Sequence, residues 1–184
     1  MGLVLKNISA FHLPNFSFSY PPTFPPSYLP SILCLRSEIM SLSMLCKSIQ
    51  VSLKTGPDIC DVTLALNALI RESGIDNGQL SAAMVGSTGS LTTIEFEPGV
   101  VEDLKRAVNL LAPPGRDYAH EQAWHDGNGH SHIQAALMGP SIVLPVRNGR
   151  LRTGTWQQVV AINHDNRPRD RTIEVTIVGT DGKD

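Results

Sequence analysis

The amino-acid sequence predicts one α+β domain, built on a mostly antiparallel β-sheet or sandwich with two to three helices. Two observations lead to this prediction. The stretches with strand periodicity follow one another in hairpins rather than alternating strictly with helices. The 184 residues are enough for one domain of ordinary size but not for two. We therefore expect a single folded domain.

The first half of that domain predicts a strand, a helix and a hairpin. Asp58 is the expected N-cap of the helix, and Gly74 lies beyond its end. Asp76-Asn77-Gly78 is typical of a turn. The predicted elements are a strand at 45–53, a helix carrying Ile59, Val62, Leu66, Leu69 and Ile70, and two short strands near 80–85 and 91–96.

The second half predicts two more helices and a β-rich tail. One helix opens at Pro98-Gly99 and ends before Pro113-Pro114-Gly115. Asn148-Gly149 between two apolar runs is a strong hairpin signal. The remaining predicted elements are a histidine-rich loop at 116–128, a helix at 130–138, strands at 141–146, 151–162 and 172–178, and a turn across 164–170.

Residues 1–43 differ in composition from the rest of the chain. Six of the eight Phe and Tyr residues and six of the thirteen prolines lie within residues 11–30. This stretch could be a targeting segment, a proline-rich docking arm, or a sequence preceding a biological start at Met40 or Met44. We favour the last interpretation and expect the domain to occupy residues 44–184, with 1–43 outside the fold.

Charge and cysteine usage exclude several classes of protein. Fifteen basic and seventeen acidic side chains give a net charge of −2, so there is no overall positive field to hold nucleic acid. Three cysteines without C-x-x-C spacing exclude a disulfide scaffold and a zinc ribbon. No apolar run approaches the ~20 residues of a spanning helix. We expect a cytoplasmic protein with no nucleic-acid and no membrane partner.

Four of the six histidines fall within thirteen residues, at His120, His125, His130 and His132, with Asp126 among them. Imidazoles with nearby carboxylates are ligands that a divalent metal such as zinc needs, and the carboxylates can also orient the rings. The alternative is a solvated loop whose histidines cap the following helix. For four histidines together we expect a site, either for a metal or for acid–base chemistry.

Two other stretches could bind phosphate. Gly86-Ser87-Thr88-Gly89-Ser90 offers backbone N–H groups and three hydroxyls, although a plain tight turn is the favoured alternative. No Gly-Lys-Ser/Thr follows, which excludes a Walker loop. The arginines between Asp165 and Arg171 could also bind phosphate, although a solvated, salt-bridged turn is the expected structure.

The stretch 149–158 places Gly154 in the middle of a predicted strand, which indicates a bulge or a close backbone approach. Trp156 is either a core residue or the wall of a ligand site, and both alternatives stay open. Thr155 and Gln157 share the strand face opposite Trp156.

Several stretches resemble the YjbQ family, whose members are in places named secondary thiamine-phosphate synthase. The most specific is GRLRTGTWQQV at 149–159; others are STGSLTTIEFEPGVVEDL at 87–104 and DGNGHSHIQAALMGPSIVLPV at 126–146. The resemblance covers roughly residues 45–180. It implies a small α+β domain that assembles as a homotrimer, with a polar pocket near the subunit boundary and a weak thiamine-phosphate-forming activity.

The resemblance also implies roles for single residues. His120, Asp126 and His132 match the family's histidine loop, and Glu95 matches the acid after its first hairpin. The combined candidates are Asp126, Glu95 and Gln157 as catalytic residues, Ser87, Thr88, Ser90, Thr155 and Trp156 as substrate-binding residues, and His120, His130 and His132 as metal ligands.

One departure from the family pattern generates a hypothesis. Many members carry a histidine in the stretch that corresponds to residues 86–91, and this chain has none there. His130 could replace it, in which case His120, His130 and His132 converge on one point that faces Ser87–Ser90 and Gln157.

Two functions follow. The first is a metal-assisted enzyme, using zinc or magnesium, that joins or processes a small phosphorylated heterocycle. The second is a non-catalytic trimeric module that binds a metal or a small phosphorylated ligand. The absence of a D-D-x-x-D motif for metal-bound diphosphate counts against the first.

Overall fold

Eight strands and four helices follow one another in the computed structural model, which describes residues 42–182. The predictions for residues 1–43 fall almost entirely outside this range. In chain order the elements are β1 (Ser43–Leu53), β2 (Asp58–Asp61), α1 (Thr63–Ser73), β3 (Asn77–Met84), β4 (Gly89–Ile94), α2 (Pro98–Leu111), α3 (Glu121–Trp124), α4 (Gly129–Met138), β5 (Ser141–Arg147), β6 (Arg150–Leu151), β7 (Gln158–Asn163) and β8 (Arg169–Thr180).

The strands form two sheets in which every pairing is antiparallel. One sheet has five strands in the order β1-β8-β3-β5-β6, and the other has three in the order β2-β7-β4. The predicted mixed, mostly antiparallel domain is therefore confirmed. The described residues contain four helices rather than two to three, because the short α3 lies inside the stretch predicted as a loop.

The core lies between the two sheets and α1. Leu66 and Ile70 of α1 are fully buried against Leu80 of β3, Val159 of β7 and Ile177 of β8. Every second residue of β8 from Arg171 to Gly179 is buried, as expected for a strand with one face on a core. Among the residues described, no helix is long and apolar enough to cross a membrane.

The first helix begins later than predicted because its expected first turn is a strand. Residues of β2 pair with β7, from Asp58 opposite Asn163 onward. The Asp58 carboxylate accepts a hydrogen bond from the Lys54 amide (2.7 Å), so the prediction that it caps the helix is wrong. Asp61 instead accepts from the amide of Thr63 (2.8 Å) at the true helix start.

The predicted turn at Asp76-Asn77-Gly78 is also wrong, because β3 begins at Asn77. Gly78 lies opposite Gly179 of β8, and a Cβ on Gly78 would lie only 2.1 Å from the Val178 carbonyl oxygen. Glycine is required here by close backbone approach between strands rather than by a turn.

The tail contains one confirmed and one wrong prediction. Asn148 and Gly149 have φ values of 52° and 64°, which is the geometry of a type I′ hairpin turn between β5 and β6. The long strand predicted at 151–162 does not exist: β6 ends at Leu151 and the chain turns at 155–156 before β7.

Candidate functional site

A cleft of about 540 Å³ opens at one end of the three-stranded sheet. Gly89 at the start of β4 pairs with Asn163 at the end of β7, so the loop before β4 and the loop after β7 emerge side by side. The histidine-rich loop closes the third side. The lining residues are Gly86, Ser87, Thr88, His120, Trp124, Asp126, Asn128, His132, Asp165, Arg169, Asp170 and Arg171.

Asp165 is the buried centre of the cleft floor, with 2% of its surface exposed. Its carboxylate accepts hydrogen bonds from Thr88 Oγ1 (2.9 Å), Arg169 Nε (3.0 Å) and Asn128 Nδ2 (3.3 Å). Burial by itself raises the pKa of Asp165, but the hydrogen bonds from Arg169 and Thr88 outweigh it and lower that pKa below its ordinary value. Asp165 is therefore ionised and joins all three sides of the cleft.

Arg171 supports the phosphate-loop candidate from behind. Its guanidinium donates to Thr88 Oγ1 (2.7 Å), to the Thr88 carbonyl (3.1 Å) and to Asn163 Oδ1. Only 6% of Arg171 is exposed. Its charge therefore fixes the position of the loop at 86–88 and contributes a positive potential to the cleft.

His164 is fully buried beneath the cleft between Ser90 and Gln134. The Gln134 Nε2 group donates to the Ala112 carbonyl (2.9 Å), so its Oε1 must be the atom that faces His164 Nδ1 at 3.1 Å. His164 Nδ1 therefore carries the proton, and Nε2 accepts from Ser90 Oγ at 2.7 Å. Burial, and then the charge of Arg171, lower the pKa of His164 from 6.5 to about 4.

Two histidines of the cleft lining lie against each other. The rings of His120 and His132 have centroids 4.5 Å apart, and His120 Nε2 lies 3.4 Å from Asp126 Oδ1. Trp124 stacks on His120 with an interplanar angle of 18°. His120 Nε2 is buried and has no well-directed hydrogen-bond partner within residues 42–182. This buried nitrogen lies close enough to Asp126 for the two groups to share a proton.

Glu121 fixes the shape of the loop that carries these histidines. Its two carboxylate oxygens accept from the amides of Gly127 (2.7 Å) and Gly129 (2.8 Å). The bonds from Gly129 and then Gly127 lower the pKa of Glu121. A Cβ on Gly129 would lie 2.5 Å from Tyr118 Cβ, so only glycine lets α4 start this close to the preceding loop.

Comparison with known proteins decides the family. The family model described as UPF0047 protein YjbQ-like matches residues 47–180. The chain belongs to the YjbQ family. The UPF0047 protein of Methanothermobacter thermautotrophicus is 32% identical over 122 residues, which are 66% of this chain and 83% of that protein. The UPF0047 protein of Archaeoglobus fulgidus is 31% identical over 128 residues, covering 68% and 97%.

Solved structures agree with this assignment. A YjbQ-like protein of unknown function from Sulfolobus solfataricus has a TM-score of 0.72 at 30% identity, covering 76% of this chain and 99% of that one. A hypothetical protein from Aeropyrum pernix has a TM-score of 0.69 at 30% identity, covering 73% and 98%. The fold described above is thus the YjbQ fold.

The structure brings together five of the site residues that were predicted from the sequence. Ser87, Thr88, His120, Asp126 and His132 all line the cleft. Their convergence comes from the pairing of β4 with β7 and from the loop held by Glu121. Ser90 belongs to the same region but is fully buried on His164, so a ligand does not reach it.

His130 does not line the cleft. It is buried, its Nε2 lies 3.2 Å from Ser131 Oγ, and burial lowers its pKa. No group of three or more His, Cys, Asp or Glu side chains among residues 42–182 is placed to hold a metal ion. The hypothesis that His130 converges with His120 and His132 is wrong in this arrangement, because α4 turns His130 toward the interior.

A second set of candidates lies at the opposite end of β4 and β7. Gln157 Nε2 donates to Thr93 Oγ1 (2.9 Å), and β4 and β7 pair in register from Gly89–Asn163 to Ile94–Gln158. Five strand residues span roughly 16 Å. Within one chain, Gln157 therefore does not face the loop at 86–90 as expected, and Glu95, Thr155 and Trp156 do not line the cleft either.

Trp156 is not a core residue. It lies in the turn before β7 and is 71% exposed, so that alternative from the sequence is wrong.

Sequence reasoning missed the buried residues that support the cleft. Asp165 and Arg171 were expected in a solvated turn, yet both are buried. A signal was present: Asn163-His164-Asp165 follows directly on the four apolar residues 159–162. When polar residues directly follow a fully apolar strand, the chain is still in the interior, so their side chains are predicted to be buried. Each buried polar group then requires a hydrogen-bond partner.

Proposed function

We propose that this cleft binds a small phosphorylated molecule and that His120, Asp126 and His132 exchange protons with it. The observation that carries the proposal is the convergence of a glycine-serine loop, two arginines and a histidine pair on one cavity. Asp165 is already neutralised by Arg169 and Arg171. Asp126 and Asp170 also line the cleft, so an incoming anion would gain from a protonated imidazole at His120 or His132.

The phosphate end of the ligand belongs at the loop of residues 86–88. Ser87 is exposed, so its hydroxyl and amide are available to a phosphate oxygen. Thr88 donates to Asp165 and accepts from Arg171, which makes it a positioning residue. A Cβ on Gly86 would lie 3.1 Å from Arg171 Nη1, so glycine keeps this loop close to the guanidinium.

The histidine pair supplies acid–base chemistry. Asp126 Oδ1 lies 3.4 Å from His120 Nε2, close enough for the carboxylate to orient the ring and to exchange a proton with it. A protonated imidazole can then donate to the oxygen of a departing phosphate or diphosphate. In thiamine-phosphate formation the thiazole nitrogen forms a C–N bond to the pyrimidine methylene as the C–O bond to diphosphate breaks, and a proton donated to the leaving oxygen assists that departure. We propose this reaction type as the candidate activity.

The cleft offers the types of donor atom that a divalent metal binds, but it does not place them in the geometry of a metal site. His120, His132 and Asp126 are the side chains that would hold zinc or magnesium, and His130 stays outside. Such an ion would supply charge stabilisation for a leaving diphosphate. Among residues 42–182, no set of three side chains is placed to bind a metal ion. In this proposal the histidines therefore transfer protons without the help of a metal.

We further propose a cytoplasmic homotrimer. The family resemblance supports it, and Glu95, Thr155, Trp156 and Gln157 would then have a role, because a neighbouring subunit could bring them to the cleft. A non-catalytic trimeric module is the alternative function; it would use the same cleft for binding alone.

An assay with the two thiamine precursors tests the proposal. The full chain is incubated with hydroxymethylpyrimidine diphosphate and thiazole phosphate, with and without zinc or magnesium, and thiamine phosphate is measured. We expect turnover that His132→Gln abolishes and that His125→Gln, an exposed matched control, retains. Saturable phosphate binding without turnover would favour the binding module, and absence of both would refute the proposal.

A further inference from the structure

The β5–β6 hairpin carries three arginines on one face. Arg147 and Arg150 are direct partners across the two strands and therefore point to the same side. Arg152 follows Arg150 by two residues, and its amide continues the pairing by donating to the Pro145 carbonyl (2.8 Å). Leu151 between them is buried, so all three arginines project outward.

These arginines border a groove of about 870 Å³ whose other lining residues, within the part of the chain that the structure describes, are Asn148 and Leu151. No carboxylate lines it, and none of the three arginines forms an ion pair with another residue of the range 42–182. Beside the turn, Asp76 Oδ1 would lie 3.8 Å from a Cβ on Gly149, and the other oxygen of that carboxylate accepts from Asn77 Nδ2 (2.9 Å). Among residues 42–182, the lining of the groove itself thus carries three positive charges and no carboxylate.

Packing and edge protection do not account for this arrangement. Like charges directly opposite each other destabilise a strand pair. A charge on the edge strand β6 can be explained as protection against pairing with other chains. Protection of the β6 edge does not, however, explain a second arginine on β5 directly opposite Arg150.

We propose that Arg147, Arg150 and Arg152 form a binding site for a small anion with at least two phosphate charges, such as free diphosphate. Guanidinium groups bind phosphate oxygens in pairs, and three of them within one hairpin can contact two phosphates. The groove offers no exposed apolar pocket to anchor the side chains of an acidic peptide. It shares no lining residue with the cleft of the same chain, so within one chain this site is separate from the proposed phosphate site there.

Amide-resolved NMR titration of the full chain with inorganic diphosphate tests this site. We expect saturable shifts at Asn148 and Gly149 that His132→Gln leaves unchanged, since that variant alters only the cleft. The double variant Arg150→Gln/Arg152→Gln should weaken this binding roughly tenfold or more. Arg106→Gln, which removes one exposed arginine of α2 paired with Asp103, is the control for loss of a surface arginine elsewhere and should bind as the unaltered chain does.

Three outcomes would overturn the proposal. The hairpin amides could stay unmoved by diphosphate, the double variant could bind it as tightly as the Arg106→Gln control, or a poly-glutamate peptide could bind more tightly than diphosphate. If the double variant fails to fold, the single variant Arg147→Gln decides the question by the same shifts.

Discussion

At the scale of single residues, His164 is a fully buried histidine with a hydrogen bond at each ring nitrogen. Its ring is sealed between Ser90 and Gln134, both buried, and its backbone carbonyl accepts from Ser131 Oγ at 2.6 Å. Protonating the ring would place a charge in the interior and remove the acceptor that Ser90 uses. The neutral ring is therefore part of the folded structure, and folding is coupled to pH through it.

We predict that stability falls as pH is lowered from about 6.5 to about 4. The folded-state pKa of His164 is about 4, while the unfolded chain takes up the proton near 6.5. Between these two pH values only the unfolded state is protonated at this ring. The free energy of unfolding therefore falls by up to about 1.4 kcal/mol for each pH unit, and by about 3 kcal/mol over the whole range. Urea unfolding at a series of pH values measures this loss.

The variant His164→Gln isolates the effect. It should lose stability at neutral pH but show a flatter dependence between pH 6.5 and 4. If the variant does not fold, the imidazole NMR signals of His164 in the unaltered chain give the answer directly. A ring that titrates near pH 6.5 would contradict this description of the buried network.

At the scale of elements, the loop that connects α2 to α4 is held by Glu121. We predict that Glu121→Ala frees the amides of Gly127 and Gly129, because the side chain that accepts both hydrogen bonds is gone. Hydrogen exchange at these two amides should accelerate, and the His120–His132 pair should lose its spacing. Glu102→Ala, an exposed acidic residue on α2, is the control and should leave both amides protected. Unchanged exchange in Glu121→Ala would refute this role.

The elements predicted correctly from the sequence are those with local signals at their ends. Helix α2 starts at Pro98 with Glu97 accepting from the Gly99 amide (2.8 Å), and α4 ends at Gly139. The elements that were missed depend on distant partners. Strand β2 exists because β7 lies beside it, and Gly78 is in a strand because Gly179 lies opposite.

The residues of the candidate site also differ in whether a local sequence signal predicts them. The histidine pair and the serine loop could be predicted because their residue types concentrate in short stretches of sequence. The burial of Asp165 has one local signal, the polar run that follows the apolar residues 159–162. The partners of Asp165 and Arg171 have no such signal, because they are brought together by the antiparallel pairing at Gly89–Asn163. Burial is decided by residues more than seventy positions away.

At the scale of the whole molecule, we predict a homotrimer. Several large apolar side chains are exposed on the single chain, and a subunit contact would cover them. The clearest are Leu64, Leu110, Leu111, Leu137 and Trp156. Light scattering should give three times the 20.0 kDa chain mass at micromolar concentration. The mass of a single chain would contradict the prediction. Glu95, Thr155, Trp156 and Gln157 would then have no role at the cleft.

Binding of inorganic phosphate in the cleft tests the central claim most directly. Amide-resolved NMR titration near pH 6 should give saturable shifts at Gly86, Ser87 and His132. His132→Gln should weaken that binding about tenfold, equivalent to about 1.4 kcal/mol, whereas His125→Gln should not. Amides at 86–88 that do not respond to phosphate, or a His132→Gln variant that binds it like the unaltered chain, would contradict the account.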